Sequence, residues 1–401
     1  MLRPYREILA RPGALQFTLA GLIGRLPISM VGLGIVLMVS ALYGSYGLAG
    51  RVSAVFVVVQ ALCSPQLAKL IDRYGQARVM RPSLAVACLS TSGLVVAAVG
   101  HAPEPVLYAT AALGGATIGS IGSLVRARWS GVLSTPAQIH TAYSLESALD
   151  ELTFVGGPVI ATLLATSVTP WSALVVPIVA AAVGGYWLLS QRATEPAPTG
   201  RSRHGARTGP LLGPSFLALL VIFIAAGVVF GGIDVAVVAF TAERGVPGLA
   251  GPVLASVALG SLVAALGYGA RPWASPLWLR LVAGTALLTA GTAGLLFVDS
   301  VPALAGVGFL AGFAIAPTVV NGNAFVQLLA PPQRLTEGFT WLSAAIGVGV
   351  SVGASVSGTL IDRYGSPGGF AVVSVAAGTA LVVGLLAVPV LRRVVTTPTI
   401  D

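Results

Sequence analysis

LIDRYG stands at Leu70–Gly75 and again at Leu360–Gly365. Each copy closes a long apolar run, and in a chain with only 9% charged residues an acid beside a base at such a place demands a reason. Outward from both copies, apolar runs of roughly 20 residues recur, long enough to cross a hydrocarbon core as helices. Twelve are expected, near 14–42, 48–71, 82–100, 105–126, 143–166, 172–191, 213–241, 248–270, 277–298, 302–325, 338–362 and 369–391. The runs are continuous rather than alternating, and a spanning segment must satisfy its backbone hydrogen bonds internally, so helices are expected over strands.

The chain has 401 residues, 56% of them apolar, and 50 glycines, a composition unlike that of an ordinary soluble domain. The first run is too long for a signal peptide and lacks a following cleavage site, so it reads as a retained helix. With the N-terminus inside, the inner segments carry eighteen Lys and Arg, the outer loops only Arg51, Arg244 and Arg363, and Arg25 stands within the membrane. Both termini are therefore expected in the cytoplasm. The net charge of +9 is a topology signal that needs no nucleic-acid partner, and the basic central loop is a candidate contact for anionic lipid. One lysine against twenty-one arginines points to a GC-rich bacterial genome, hence a bacterial inner membrane.

Cys63 and Cys88 fall within predicted helices, where small apolar roles fit better than a disulfide. His101, His140 and His204 fall in loops or at helix ends. No HExxH, CxxC or Ser/His/Asp grouping occurs, so neither a metal, a cofactor nor an enzyme is expected. The phosphate-binding pattern GxxxxGK[ST] is absent, which argues against ATP drive.

The polar stretch from Gln191 to Gly213 divides the chain into six runs over 1–190, a linker over 191–212 and six runs over 213–401. Internal repetition supports two equivalent halves. GLAG opens the second run at Gly47 and the eighth at Gly248, and LSTPAQIHTAYSLESA from Leu133 aligns without gaps to LAPPQRLTEGFTWLSA from Leu329. Such repeats commonly enclose a site near the membrane midplane. The LIDRYG copies are not partners in this duplication. They end the second and eleventh runs, and an odd separation puts them on opposite faces.

The chain resembles the major facilitator superfamily over almost all of its length. The family's loop motif G-x-L-x-D-R-x-G, with basic residues after it, is matched by AKLIDRYGQARVMR at Ala68–Arg81, with Ala68 in place of the first glycine. An element on the fifth helix that is frequent in exporters is partly matched by FVGGPVIATLL at Phe154–Leu164, which keeps Gly157 and Pro158. The resemblance implies twelve helices in two six-helix bundles and a monomeric secondary carrier. It also implies a gate in which Asp72, with Lys69, Arg73, Gly75 and Arg78 around it, meets the start of the eleventh helix near Thr336–Phe339.

A helix C-terminus carries partial negative charge, so Asp72 needs a partner, and a solvated helix end capped by Gly75 is the alternative to the gate. For Asp362 and Arg363 a simple cap with Tyr364 at the interface suffices. Within the membrane, ionisable groups are costly and face protein or a watery cavity. Glu146 and Asp150 share one helix face, whereas Glu151 is turned about 100° away. Neighbouring carboxylates cannot all ionise easily, so one of them is a candidate proton carrier, Asp150 first and Glu151 next. A structural ion pair with Arg25, Arg126 or Arg128 is the competing reading. Asp234, on the seventh helix, is a separate cavity or gate candidate. Gly115 with Gly119, Gly227 with Gly231 and Gly349 with Gly353 suit close helix crossings. Thr318, Asn321 and Asn323, after Pro317, and Trp341 are candidates for the substrate cavity, with packing roles equally open.

The resemblance to exporters of the family implies proton-coupled efflux of a small amphipathic molecule by alternating access, with membrane lipids as surroundings. Proton-coupled uptake of a nutrient or lipid-like substrate, or a non-transporting receptor or scaffold, are the alternatives.

Overall fold

The computed structural model describes residues 3–198 and 213–396. Its spans 1 to 12 are Ala14–Tyr43, Gly47–Tyr74, Gln76–Val99, Glu104–Val132, Pro136–Ser167, Ser172–Ser190, Pro214–Glu243, Pro247–Gly269, Leu277–Phe297, Val301–Leu329, Pro332–Tyr364 and Ser366–Leu386. A short helix, Arg3–Leu9, precedes them and another, Val388–Thr396, follows. Among the described residues there is no strand. An even number of spans returns the chain to the face on which it began. That face collects most of the arginines and is called the basic face below.

The twelve expected runs are the twelve spans, but one connection is misplaced by the sequence reading. Span 4 continues to Val132 and span 5 begins at Pro136, so only Leu133, Ser134 and Thr135 join them. Arg126, expected at the end of its run, and Arg128, expected in the loop after it, therefore both lie inside a helix, 5% and 0% exposed. Their charges lower the local hydropathy, yet buried partners hold them. His140 likewise sits buried in the first turns of span 5, while His204 and Arg201, Arg203 and Arg207 of the central stretch lie outside the described residues.

Small residues set the helix spacing. A Cβ on Gly227 or Gly231 of span 7 would be driven into the carbonyl oxygens of Ile346 and Val350, and one on Gly349 or Gly353 of span 11 into those of Ile224 and Val228. The two backbones thus touch, as glycines at four-residue spacing permit in lipid, where close packing replaces the hydrophobic drive.

Three spans are broken. Span 1 divides into Ala14–Gly24 and Pro27–Tyr43, span 4 into Glu104–Ile118 and Ile121–Val132, and span 10 into Val301–Gly312 and Ile315–Leu329. Pro27 accounts for the first break. Gly119 accounts for the second, with φ +65°, a region that disfavours side chains. Non-helical backbone at membrane depth is tolerated where it is buried or lines a cavity.

The repeated hexapeptide has one local structure. Both copies end a span at a glycine of positive φ, +98° at Gly75 and +70° at Gly365, and a new helix starts at once. In each case a distant glutamate takes up the free amides of that new helix. Glu195 accepts from the Ala77 amide at 2.9 Å, and Glu243 accepts from the Ser366 amide at 2.6 Å. The carboxylates sit where the helix dipole favours negative charge. The two aspartates of the hexapeptides, by contrast, have different surroundings.

Candidate functional site

The first six and last six spans meet around a central cleft whose floor is a cavity of about 100 Å³. Its walls include Gly24, Arg25, Gly119 and Ser120 at the breaks of spans 1 and 4, with Asp150, Phe223 and Asn323. Broken helices thus bring both backbone and charged side chains to the cleft.

Below the cleft, the basic face is closed by hydrogen bonds between the two sets of spans. The Tyr5 hydroxyl donates to the Leu266 carbonyl at 2.7 Å, His140 Nε2 lies 3.1 Å from the Tyr268 carbonyl, and Thr141 donates to the Gly269 carbonyl at 2.8 Å. Ser130 and Tyr143 both bond Gln327, and the Tyr143 and Phe339 rings meet edge to face at 5.5 Å.

The Asp72 contact belongs to this closure. Its carboxylate accepts from the Glu337 amide at 2.9 Å, in the first turn of span 11. Thr336 also hydrogen-bonds the carboxylate. Glu337, 2% exposed, is held by Arg334 Nε and Nη2 at 2.8 and 2.9 Å, and Lys69 Nζ lies 3.8 Å from it. An aspartate ill-placed at the end of its own helix therefore rests on the positive end of another. Arg73 lies over the Tyr74 ring and Arg78 is exposed. Asp362 is exposed on the opposite face. Glu337 carried a local signal in Arg334 three residues before it, and only its contacts with Lys69 and Asp72 are set by the approach of spans 2 and 11.

Spans 1, 4 and 5 share a buried charge cluster. Arg25 Nη1 donates to Asp150 Oδ1 at 2.7 Å, Arg126 Nη2 donates to Asp150 Oδ2 at 2.6 Å, and Arg25 Nη2 pairs with Glu146. Trp129 Nε1 donates to the other Glu146 oxygen at 2.9 Å. Two guanidiniums thus meet two carboxylates with their lone pairs largely occupied, the condition under which ions survive burial. Arg128 stands apart, bonding Gln76, the Gln191 carbonyl and Thr194 at 2.8 to 2.9 Å.

Glu151 faces elsewhere, as its 100° turn requires. It accepts from Ser261 of span 8 at 2.7 Å, across the boundary between the two sets of spans. Asp234 is exposed and lies within electrostatic reach of Glu151. It stands eleven residues, or about three turns, beyond the cavity-lining Phe223, on the same helix face.

Of the four polar cavity candidates, Asn323 lines the cavity. The other three are placed by packing. Thr318, 1% exposed, donates to the Ala314 carbonyl and faces Gly284. Asn321, fully buried, accepts from the Tyr268 hydroxyl at 3.0 Å. Trp341 packs half-buried against the core and is not among the cavity-lining residues. Gly157 packs on Ser29 and Met30 of span 1, and Pro158 lies inside span 5. Cys63 and Cys88 are free thiols. Among the described residues no group of three or more metal-ligating side chains occurs.

Twelve spans, broken helices around a cleft and hydrogen bonds that join the two sets of spans at one face are the architecture of a membrane transporter of the secondary type. A family model described as Major Facilitator Superfamily matches residues 17–283 and 278–399, and the chain belongs to that superfamily. Among solved structures it is similar to a bacterial homologue of the iron transporter ferroportin in an outward-facing state, with TM-score 0.72, 17% identity, and coverage of 96% of this chain and 99% of that one. It is similar also to the human organic anion transporter MFSD10 (TETRAN), with TM-score 0.69, 17% identity and 96% and 99% coverage. The Escherichia coli fucose:proton symporter FucP has TM-score 0.69 at 12% identity, covering 94% and 98%. Comparison with curated protein sequences finds no match.

Proposed function

We propose that this transporter is a proton-coupled exporter of a small amphipathic molecule, working as a monomer by alternating access in a bacterial inner membrane with its basic face in the cytoplasm. The observation that carries the coupling is the Glu151–Ser261 hydrogen bond. It joins a carboxylate of span 5 to a hydroxyl of span 8, so a rocking motion that separates these spans breaks it and exposes the carboxylate to a proton. Asp150 suits this role less. Protonating it would leave Arg25 and Arg126, both buried, with one carboxylate between them. Asp234, on the same cleft, is the second protonatable group. The arginine bias towards the basic face supports the orientation. The Gly157-Pro158 element supports export by resemblance.

The test is a substrate-panel flux assay in proteoliposomes with an imposed pH gradient of either sign. Outward flux of an amphipathic compound driven by inward protons is expected. Uptake in the direction of the proton gradient would replace export with symport, and flux indifferent to the gradient would remove the coupling.

A further inference from the structure

A second cavity, of about 520 Å³, opens on the basic face away from the central cleft. Its walls come from the helix Arg3–Leu9, the start of span 5 and the connection between spans 8 and 9. Its chemistry is one-sided. Arg271 and Arg280 face it from the last six spans, while its acid, Glu7, is engaged by Arg3 at 2.9 Å. The polar groups here are incompletely satisfied. The Arg280 Nε donor is buried with no hydrogen-bond partner among the described residues, and Gln138, whose Oε1 is a buried acceptor also without one, would meet an anion through its side-chain amide N–H. His140 completes the wall from the first six spans, and the Trp273 indole donates to the same Tyr268 carbonyl at 3.0 Å.

We propose that this cavity binds a phosphate-bearing anion and that its occupancy holds the basic face closed. Two guanidiniums offer the forked donors that phosphate oxygens take, and buried donors gain most from an ionic acceptor. The cavity lies at the ends of spans 5, 8 and 9, the depth of lipid headgroups, so the phosphate has two sources, an anionic phospholipid or a soluble anion. The coupling to closure follows from the walls. Gln138 belongs to one set of spans, Arg271 and Arg280 to the other, and they are brought together by the His140–Tyr268 and Thr141–Gly269 contacts that shut this face. An anion bridging both sides binds the closed state better and shifts the population towards it.

The experiment uses full-length protein with Cys63→Ala, Cys88→Ala and Ser144→Cys. Ser144 is fully buried at the gate, so thiol labelling reports opening of the basic face. Inorganic phosphate added in detergent, and nanodiscs of phosphatidylcholine with or without phosphatidylglycerol, separate the two sources. Slowing of labelling by at least about fivefold, lost in R271Q/R280Q and weakened but still present in R271K/R280K, which keeps the charge without the fork, is expected. Slowing by inorganic phosphate assigns a soluble anion, and slowing by phosphatidylglycerol alone assigns a lipid headgroup. R271Q by itself alters an exposed side chain, so the site can be read even if the double variant does not fold. Labelling indifferent to both probes, or slowing that persists in the glutamine variants, would overturn the proposal. This readout needs no transported substrate and stands apart from the export assay.

Discussion

Asp72, at the end of span 2, accepts a hydrogen bond from the Glu337 amide at the start of span 11, 2.9 Å away and 265 residues on in the chain. Its hexapeptide counterpart, Asp362, stands exposed on the other face.

Asp72→Asn is therefore expected to shift the population towards the state open at the basic face, by about tenfold for loss of a charge-assisted bond to a helix N-terminus. Turnover should fall with it. Asp362→Asn should change little. Cysteine accessibility measured from each face compares the two, and equal effects would remove the distinction between the copies.

Glu151→Gln should abolish gradient-driven net transport while leaving substrate exchange measurable, because only the proton cycle is interrupted. Counterflow and pH-driven flux on the same vesicles separate the two functions. Full pH-driven transport in this variant would turn attention to Asp234.

The charge cluster predicts a stability effect rather than a coupling effect. Breaking a buried pair on one side costs about 3 to 5 kcal/mol, since the other charge is left behind. Arg25→Gln and Glu146→Gln should each lower the melting temperature, and the double variant should recover part of the loss. Exchanging Arg25→Glu with Asp150→Arg should not restore folding, because the new arginine would face Arg126. Independent, additive effects of the two glutamine variants would contradict the pairing.

Gly231→Ala should reduce the yield of monodisperse protein sharply, since its Cβ would meet the Val350 backbone, which cannot move alone. Gly358→Ala, with open space around it, should be tolerated. Size-exclusion profiles of the two variants provide the comparison.

The sequence by itself determined the twelve spans, the helical class, the opposite placement of the two hexapeptides and the need of Asp72 for a partner. Lipid enforces the first two, since only long apolar helices satisfy their own backbone there. It also separated Glu151 from Glu146 and Asp150, because a helix turns 100° per residue whatever surrounds it. Tertiary structure decided which carboxylate meets which cation. Arg126 looked like the last residue of its run because charge lowers hydropathy, and only the approach of spans 1, 4 and 5 supplies the partners that keep it inside. Ser261 opposite Glu151, Glu195 and Glu243 on the amides after the two hexapeptides, and Lys69 beside Glu337 are likewise contacts between distant segments. Their residue types carry no local signal, because the rotation and crossing of whole helices, set by interlocked glycines such as Gly231 and Gly349, fix who faces whom.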